Sequence, residues 1–284
     1  MTEHREQLLS DIVMALADGW ERSSELLHLA LGQRDGPLLH ALLQTKLLSD
    51  INVPFGDQGW TPLHTAVHQD AFEAATLLLQ FGADPLVCDY DGVPAVCYAV
   101  IWGRADILRH ILEARPHAGA ARTANGQTLG HLAALSFPIT MVVVKSSVCP
   151  LALYNASGKT AAHLAMDGQM FMVVKELVGR DETLAHLPCR ADGRTLLHMA
   201  SACGEPDIIA FLLRVCGVPA NVTDDTQRTP LHYAVQAMCP EAIRHLISAL
   251  CQFFPRGKEV ELPIPFVLLN HANWKIILEH SVHV

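Results

Sequence analysis

Thr61-Pro62-Leu63-His64-Thr65-Ala66 is a phrase that this chain repeats. It returns as Thr128-Leu129-Gly130-His131-Leu132-Ala133 and as Thr160-Ala161-Ala162-His163-Leu164-Ala165. Two more copies are Thr195-Leu196-Leu197-His198-Met199-Ala200 and Thr229-Pro230-Leu231-His232-Tyr233-Ala234. A weaker copy, Pro94-Ala95-Val96-Cys97-Tyr98-Ala99, sits between the first two, with Asp91-Gly92 setting its register. The copies open at 61, 94, 128, 160, 195 and 229, so the steps are 33, 34, 32, 35 and 34 residues. A step of this size belongs to a small supersecondary unit that cannot bury its apolar face alone and must lay it on its neighbours.

Each copy reads as a tight turn followed by two antiparallel helices. The turns are Asp57-Gln58-Gly59, Asp91-Gly92, Asn125-Gly126, Ser157-Gly158 and Asp192-Gly193, where Asx side chains bond locally and glycine accepts positive φ. The threonine that follows suits an N-cap, and Pro62 and Pro230 then fall at the first helical position, where a missing N–H costs nothing. Apolar pairs at helical spacing, such as Ile107-Leu108 with Ile111-Leu112 and Ile208-Ile209 with Leu212-Leu213, mark the buried stripe of the second helix. Phe81-Gly82-Ala83-Asp84 closes one such helix with glycine at the left-handed position.

The phrase and its period resemble the ankyrin-repeat family, and the resemblance covers nearly the whole chain. It implies an all-α fold, a solenoid of stacked helix-turn-helix repeats joined by short β-turn or hairpin loops. Leu26-Leu27-His28-Leu29-Ala30 reproduces the His and Ala slots upstream, and Pro263-Ile264-Pro265-Phe266 stands in for the phrase downstream. Eight repeats are therefore expected across 22–281, starting near 25, 61, 94, 128, 160, 195, 229 and 263, with the first and last degenerate. Residues 1–21, with Leu8, Leu9, Ile12, Val13 and Leu16 at helical spacing, read as a capping helix. The resemblance also makes the motif residues structural: Thr61 with His64, Thr128 with His131, Thr160 with His163, Thr195 with His198 and Thr229 with His232.

Composition excludes several classes. The formal charge is −9, which argues against nucleic acid as the main ligand, because phosphate binding draws on clustered Lys and Arg. No apolar run approaches a membrane span, and the start Met1-Thr2-Glu3-His4-Arg5-Glu6 lacks a secretion core. Eight cysteines without a CxxC pair fit reduced thiols, so an intracellular location, cytoplasmic or nuclear, is expected. Sixteen histidines invite a metal or catalytic reading, but periodic placement accounts for the motif histidines. His64 and His68 lie four apart on one helix with no third ligand or HExxH glutamate, so no metal, cofactor or small-molecule substrate is expected. No GxSxG elbow, phosphate-binding glycine loop or GxGxxG appears, and no enzymatic activity is expected.

The resemblance places the partner-binding surface on the turn tips and the outward side of the first helices, at the fourth, seventh and eighth positions from the motif Thr. Tyr98, Ile101 and Trp102, with Trp60, His68 and Tyr90 nearby, form an aromatic cluster of the kind found at interface hot spots. Fourth positions such as Tyr98 and Tyr233 are equally suited to packing between first helices. Arg194 and Arg228 add basic tips, and ordinary solvated turn charge is their plainer reading. The function expected is a non-enzymatic module that binds a protein partner.

The alternative is a substrate adaptor of an elongin/cullin ubiquitin ligase, because some family members end in such a box. Leu250-Cys251 followed by Leu262-Pro263-Ile264-Pro265 is faintly similar to it. Asn221 lies in the loop where some members are hydroxylated, although Pro219 replaces the preferred acidic residue. Two departures from the pattern predict local weakness: Pro94 and Cys97 in the third repeat, and Phe137-Pro138-Ile139-Thr140 where the fourth should carry a glycine turn.

Overall fold

The computed structural model describes residues 23–33, 35–44 and 50–253. The expected capping helix over 1–21 and the repeat starting near 263 lie outside them. Helices come in pairs: α1 (Ser23–Gly32) with α2 (Gly36–Gln44), α3 (Pro62–His68) with α4 (Phe72–Gln80), and α5 (Ala95–Ile101) with α6 (Ala105–Ala114). A short 3-10 turn, Pro116–Ala120, precedes α7 (Leu129–Ala133) and α8 (Phe137–Lys145). Next come α9 (Ala161–Asp167), α10 (Phe171–Arg180) and the one-turn α11 (Thr183–His186). The last pairs are α12 (Leu196–Cys203) with α13 (Pro206–Arg214) and α14 (Pro230–Gln236) with α15 (Pro240–Phe253). Among the described residues, extended pairing is confined to three isolated bridges, Phe55 with Trp60, Cys88 with Pro94 and Arg122 with Thr128, each at the foot of a turn.

The chain divides into two compact units. One runs to Ala133 and takes in Met141–Pro150; the other comprises Ala134–Thr140 and continues from Leu151. In the first, α1, α3, α5 and α7 pack in succession, and α2, α4 and α6 do the same. In the second, α9, α12 and α14 follow one another, and α13 packs on α15. The phrase's last residue is fully buried in every described copy: Ala66, Ala99, Ala133, Ala165, Ala200 and Ala234. A methyl-sized side chain there lets helices close to native packing density, and a larger one would overpack the seam. Ile107, Leu108, Ile111, Ile209 and Leu212 supply the second-helix stripe that the sequence periodicity predicts.

Two positions per repeat require left-handed backbone. Two residues before the motif threonine stand Gly59, Gly92, Gly126, Gly158 and Gly193, with φ between 69° and 72°, and then Gln227 with φ 61°. A Cβ at Gly158 would also sit 2.9 Å from that of Arg190 on the next tip, so this turn needs glycine on both counts. Nine residues after the threonine come Asp70, Gly103, Gln169, Gly204 and Met238, with φ between 54° and 72°. The fourth repeat has no such residue, because Phe137 holds the slot and already belongs to α8. Phe137-Pro138-Ile139-Thr140 is thus the start of a helix rather than a turn. Its partner α7 is shortened to five residues, which accounts for the 32-residue step that follows.

The turns correct another detail of the sequence reading. The side chain that organises three of them is not the residue just before glycine but lies five before the phrase. Asp89 Oδ1 accepts from the Asp91 and Val93 N–H groups, Asn155 Oδ1 from Ser157 and Lys159, and Asp224 Oδ1 from Thr226 and Arg228. The turn before Thr195 carries one extra residue, closing from the Cys189 N–H to the Arg194 carbonyl, as the turn before Thr61 closes from Phe55 to Trp60, where those before residues 94, 128, 160 and 229 span four. That residue is why the step from 160 to 195 is the longest.

Candidate interaction face

The motif histidines hold the tips in place. The Thr61 N–H donates to His64 Nδ1 at 3.1 Å, so the ring proton sits on Nε2, which donates to the Val93 carbonyl at 3.1 Å. His163 reaches the Arg194 carbonyl at 3.3 Å and His198 the Arg228 carbonyl at 3.0 Å in the same way. Thr61 and Thr160 accept from the His64 and His163 amides, and in all five Thr–His copies the threonine N–H donates to the histidine Nδ1, so that His at the third position serves in a capping box. Burial lowers the pKa of His64, His163, His198 and His232 and takes that of His28 to about 4. These histidines are neutral links, and both ring nitrogens of His64 are engaged in them. Among the described residues, no group of three or more His, Cys, Asp or Glu side chains is arranged to hold a metal ion.

On that frame the first compact unit gathers an aromatic cluster in which His68 is exposed and Trp60, Tyr98 and Trp102 are half-buried. Trp60 stands one residue before the phrase, Tyr98 four residues after its first position, His68 and Ile101 seven after and Trp102 eight after. The Tyr98 and Trp102 rings are stacked with centroids 4.4 Å apart, and Trp60 meets Trp102 edge-on at 5.8 Å. His68 lies between the two indoles, 5.0 Å from Trp60 and 4.9 Å from Trp102. Ile101, next to Trp102 in the chain, is 48% exposed, and Tyr90 on the tip is 71% exposed. Tyr90 leans over Gly59, and its N–H donates to the Gln58 carbonyl, which joins the two tips.

Tyr98 has a second task. Its hydroxyl donates to Asp89 Oδ2 at 2.7 Å, so the turn's organising carboxylate is anchored from the helix below. Burial, with the Asp89 hydrogen bond, pushes the phenol up to about 12. Cys97, in the histidine slot, is fully buried, and burial takes its thiol to about 12. Pro94 makes no side-chain cap, as its chemistry requires. The third repeat therefore lacks the Thr–His pair and ties its own turn by the Tyr98–Asp89 bond, which sequence reasoning did not identify. Position alone carried the signal: the tyrosine stands nine residues after the aspartate.

The second compact unit repeats that link, with Tyr233 donating to Asp224 Oδ2 at 2.6 Å. Burial opposes ionisation of Asp224, but hydrogen bonds from Tyr233, Arg228 and Thr226 outweigh it and hold the carboxyl at about 2. Arg194 is bound to Asp192 through Nε at 2.6 Å, Lys159 to Asp167 at 2.6 Å, and Arg190 stacks on Tyr154 at 4.0 Å. Most of the basic tip charge is thus internally matched; Arg228 is exposed beside it. Leu250, half of the ligase-box resemblance, is buried on α15, whereas residues 262–265 lie outside the described residues. Asn221 is exposed.

Helix pairs at this period, turn tips tied to one another and histidine links to the next tip define a repeat array built for surface recognition. The family model for ankyrin repeats matches residues 27–120 and 168–254, more than half of the chain. The chain belongs to the ankyrin-repeat family. The Notch-regulated ankyrin repeat-containing protein B of Danio rerio is 34% identical over 29% of this chain and 76% of its own length. The NF-kappa-B inhibitor delta of Mus musculus is 26% identical over 67% of each chain. Among solved structures, the ankyrin repeat domain of Bcl-3, described as a unique member of the IkappaB protein family, superposes with a TM-score of 0.70. That match covers 78% of this chain and 97% of the other at 23% identity, and it bears on the fold alone. Ankyrin repeats generally act as protein-interaction scaffolds, and no helix among the described residues is long and apolar enough to cross a membrane.

Proposed function

We propose that the chain is a non-enzymatic, intracellular interaction module that grips a protein partner with its turn tips and first-helix face. The observation that carries this is the ring cluster of Trp60, His68, Tyr98 and Trp102, with Tyr90 and Ile101 exposed on the third repeat. Large rings held against one another present contact area that loses little conformational freedom on binding, the property of hot-spot residues. Tyr98 is partly committed to Asp89, so Trp102 and Ile101 carry most of the recognition, with Tyr233, Arg194 and Arg228 as contacts on the second unit's tips. The likeness to a mouse protein named as an inhibitor of NF-kappa-B supports a scaffold or inhibitor that holds its partner. Seven described cysteines are free thiols, which suits a reducing compartment.

Affinity purification from cells with mass spectrometry, comparing wild type with a folded Tyr98→Ala/Trp102→Ala variant, tests this reading. A protein retained by the wild type and lost by the variant is the expected result. An identical set of captured proteins would remove the aromatic face from the account.

A further inference from the structure

The stretch 50–103 contains seven carboxylates and no lysine or arginine, in a chain whose formal charge is −9. It spans α3, α4 and α5 with their tips, and so includes every ring of the aromatic cluster. The first cation beyond it, Arg104, is already occupied: its guanidinium binds Asp70 at 3.3 Å and the His68 carbonyl at 3.1 Å. On the tips themselves, Asp57 and Asp91 are exposed, and Asp89 is turned inward to Tyr98. Asp91 is near enough for its charge, with that of Asp89, to help raise the Tyr98 phenol. Aromatic faces bordered by uncompensated carboxylates favour one kind of occupant, since both the ring quadrupoles and the carboxylates attract cations. The same charge repels an acidic segment or a phosphate backbone.

We propose that this face receives a basic segment of the partner protein, with lysine or arginine side chains set over the rings and against Asp57 and Asp91, and an apolar residue beside Ile101. The inference rests on the interaction reading above and names the chemistry of what that surface holds. Arg→Glu changes in such a segment replace attraction by repulsion at both tips. Apolar contact with Ile101 and Trp102 fixes where the segment lies, and the carboxylates govern how fast it arrives and which sequences are refused.

A random peptide display library, selected in parallel on the wild-type protein and on folded Trp102→Ala and Ile101→Arg variants, is the direct test. Sequences enriched on the wild type and absent from both variants are expected to carry an excess of Lys and Arg over Asp and Glu. Synthetic copies of them should weaken about tenfold against Asp57→Asn/Asp91→Asn in low salt, with the difference shrinking as salt is added. Enrichment of neutral or acidic peptides that still depend on Trp102 would overturn the basic-segment inference and leave the interaction face standing. No peptide dependent on Trp102 or Ile101 would overturn both.

Discussion

At the scale of single residues, the chain places non-glycine side chains where the backbone is left-handed. Met238 has φ 54° and is 60% exposed, so its side chain gains little burial in return for the strained conformation. Met238→Gly is expected to raise stability by about 0.5–1 kcal/mol, after the larger unfolded-state entropy of glycine is subtracted. A rise of a few degrees in the thermal midpoint is the check, and a fall would show that the turn is not strained. Tyr233 tests the opposite kind of residue. Tyr233→Phe removes the donor to Asp224, a carboxylate that is 4% exposed, and should cost about 1–2 kcal/mol in chemical denaturation. No loss would mean that water replaces the hydroxyl without penalty.

At the scale of elements, the Thr–His link makes the tips sensitive to acid. Burial keeps the folded-state pKa values of His28, His64, His163, His198 and His232 below the unfolded value of 6.5. Between those values the unfolded chain binds protons that the folded chain refuses, so stability rises with pH there. Their contribution is fully present above about pH 6.5 and declines as pH falls toward about 4, the value of the lowest of them. Denaturation midpoints measured from pH 7.5 down to 4.5 should therefore fall, with a slope of more than one proton. A flat profile would mean that the histidines titrate normally. The links themselves were legible in the sequence because they recur with the period, and so were the helix pairs. What was not legible depends on which neighbour a side chain meets: the Asp89–Tyr98 and Asp224–Tyr233 bonds, the role of the residue five before the phrase, and the helical start at Phe137. No local propensity marks Phe137 as helical; the preceding α7 simply ends early.

At the scale of the whole molecule, stability should be uneven. The third repeat lacks both Thr and His, and the fourth has a five-residue first helix and no left-handed residue between its two helices. The repeats over 195–250 keep their capping boxes, and the later one carries the fourteen-residue α15. In an array whose stability is a sum of repeat and interface terms, amide exchange should be faster over 94–150 than over 195–250. Equal protection in both regions would contradict that ranking. The aromatic cluster begins in the repeat before this region and extends into it, so the proposed recognition surface includes the repeat expected to open readily.

The surface proposed to hold the partner is the face of Trp60, Tyr98, Ile101 and Trp102. The most direct measurement is the affinity of the purified, captured partner for the wild type and for Trp102→Ala, with folding of the variant checked by circular dichroism. Loss of a hot-spot ring should weaken binding by about thirtyfold or more, equivalent to about 2 kcal/mol. A change of less than about twofold, within what a peripheral contact contributes, would contradict the account.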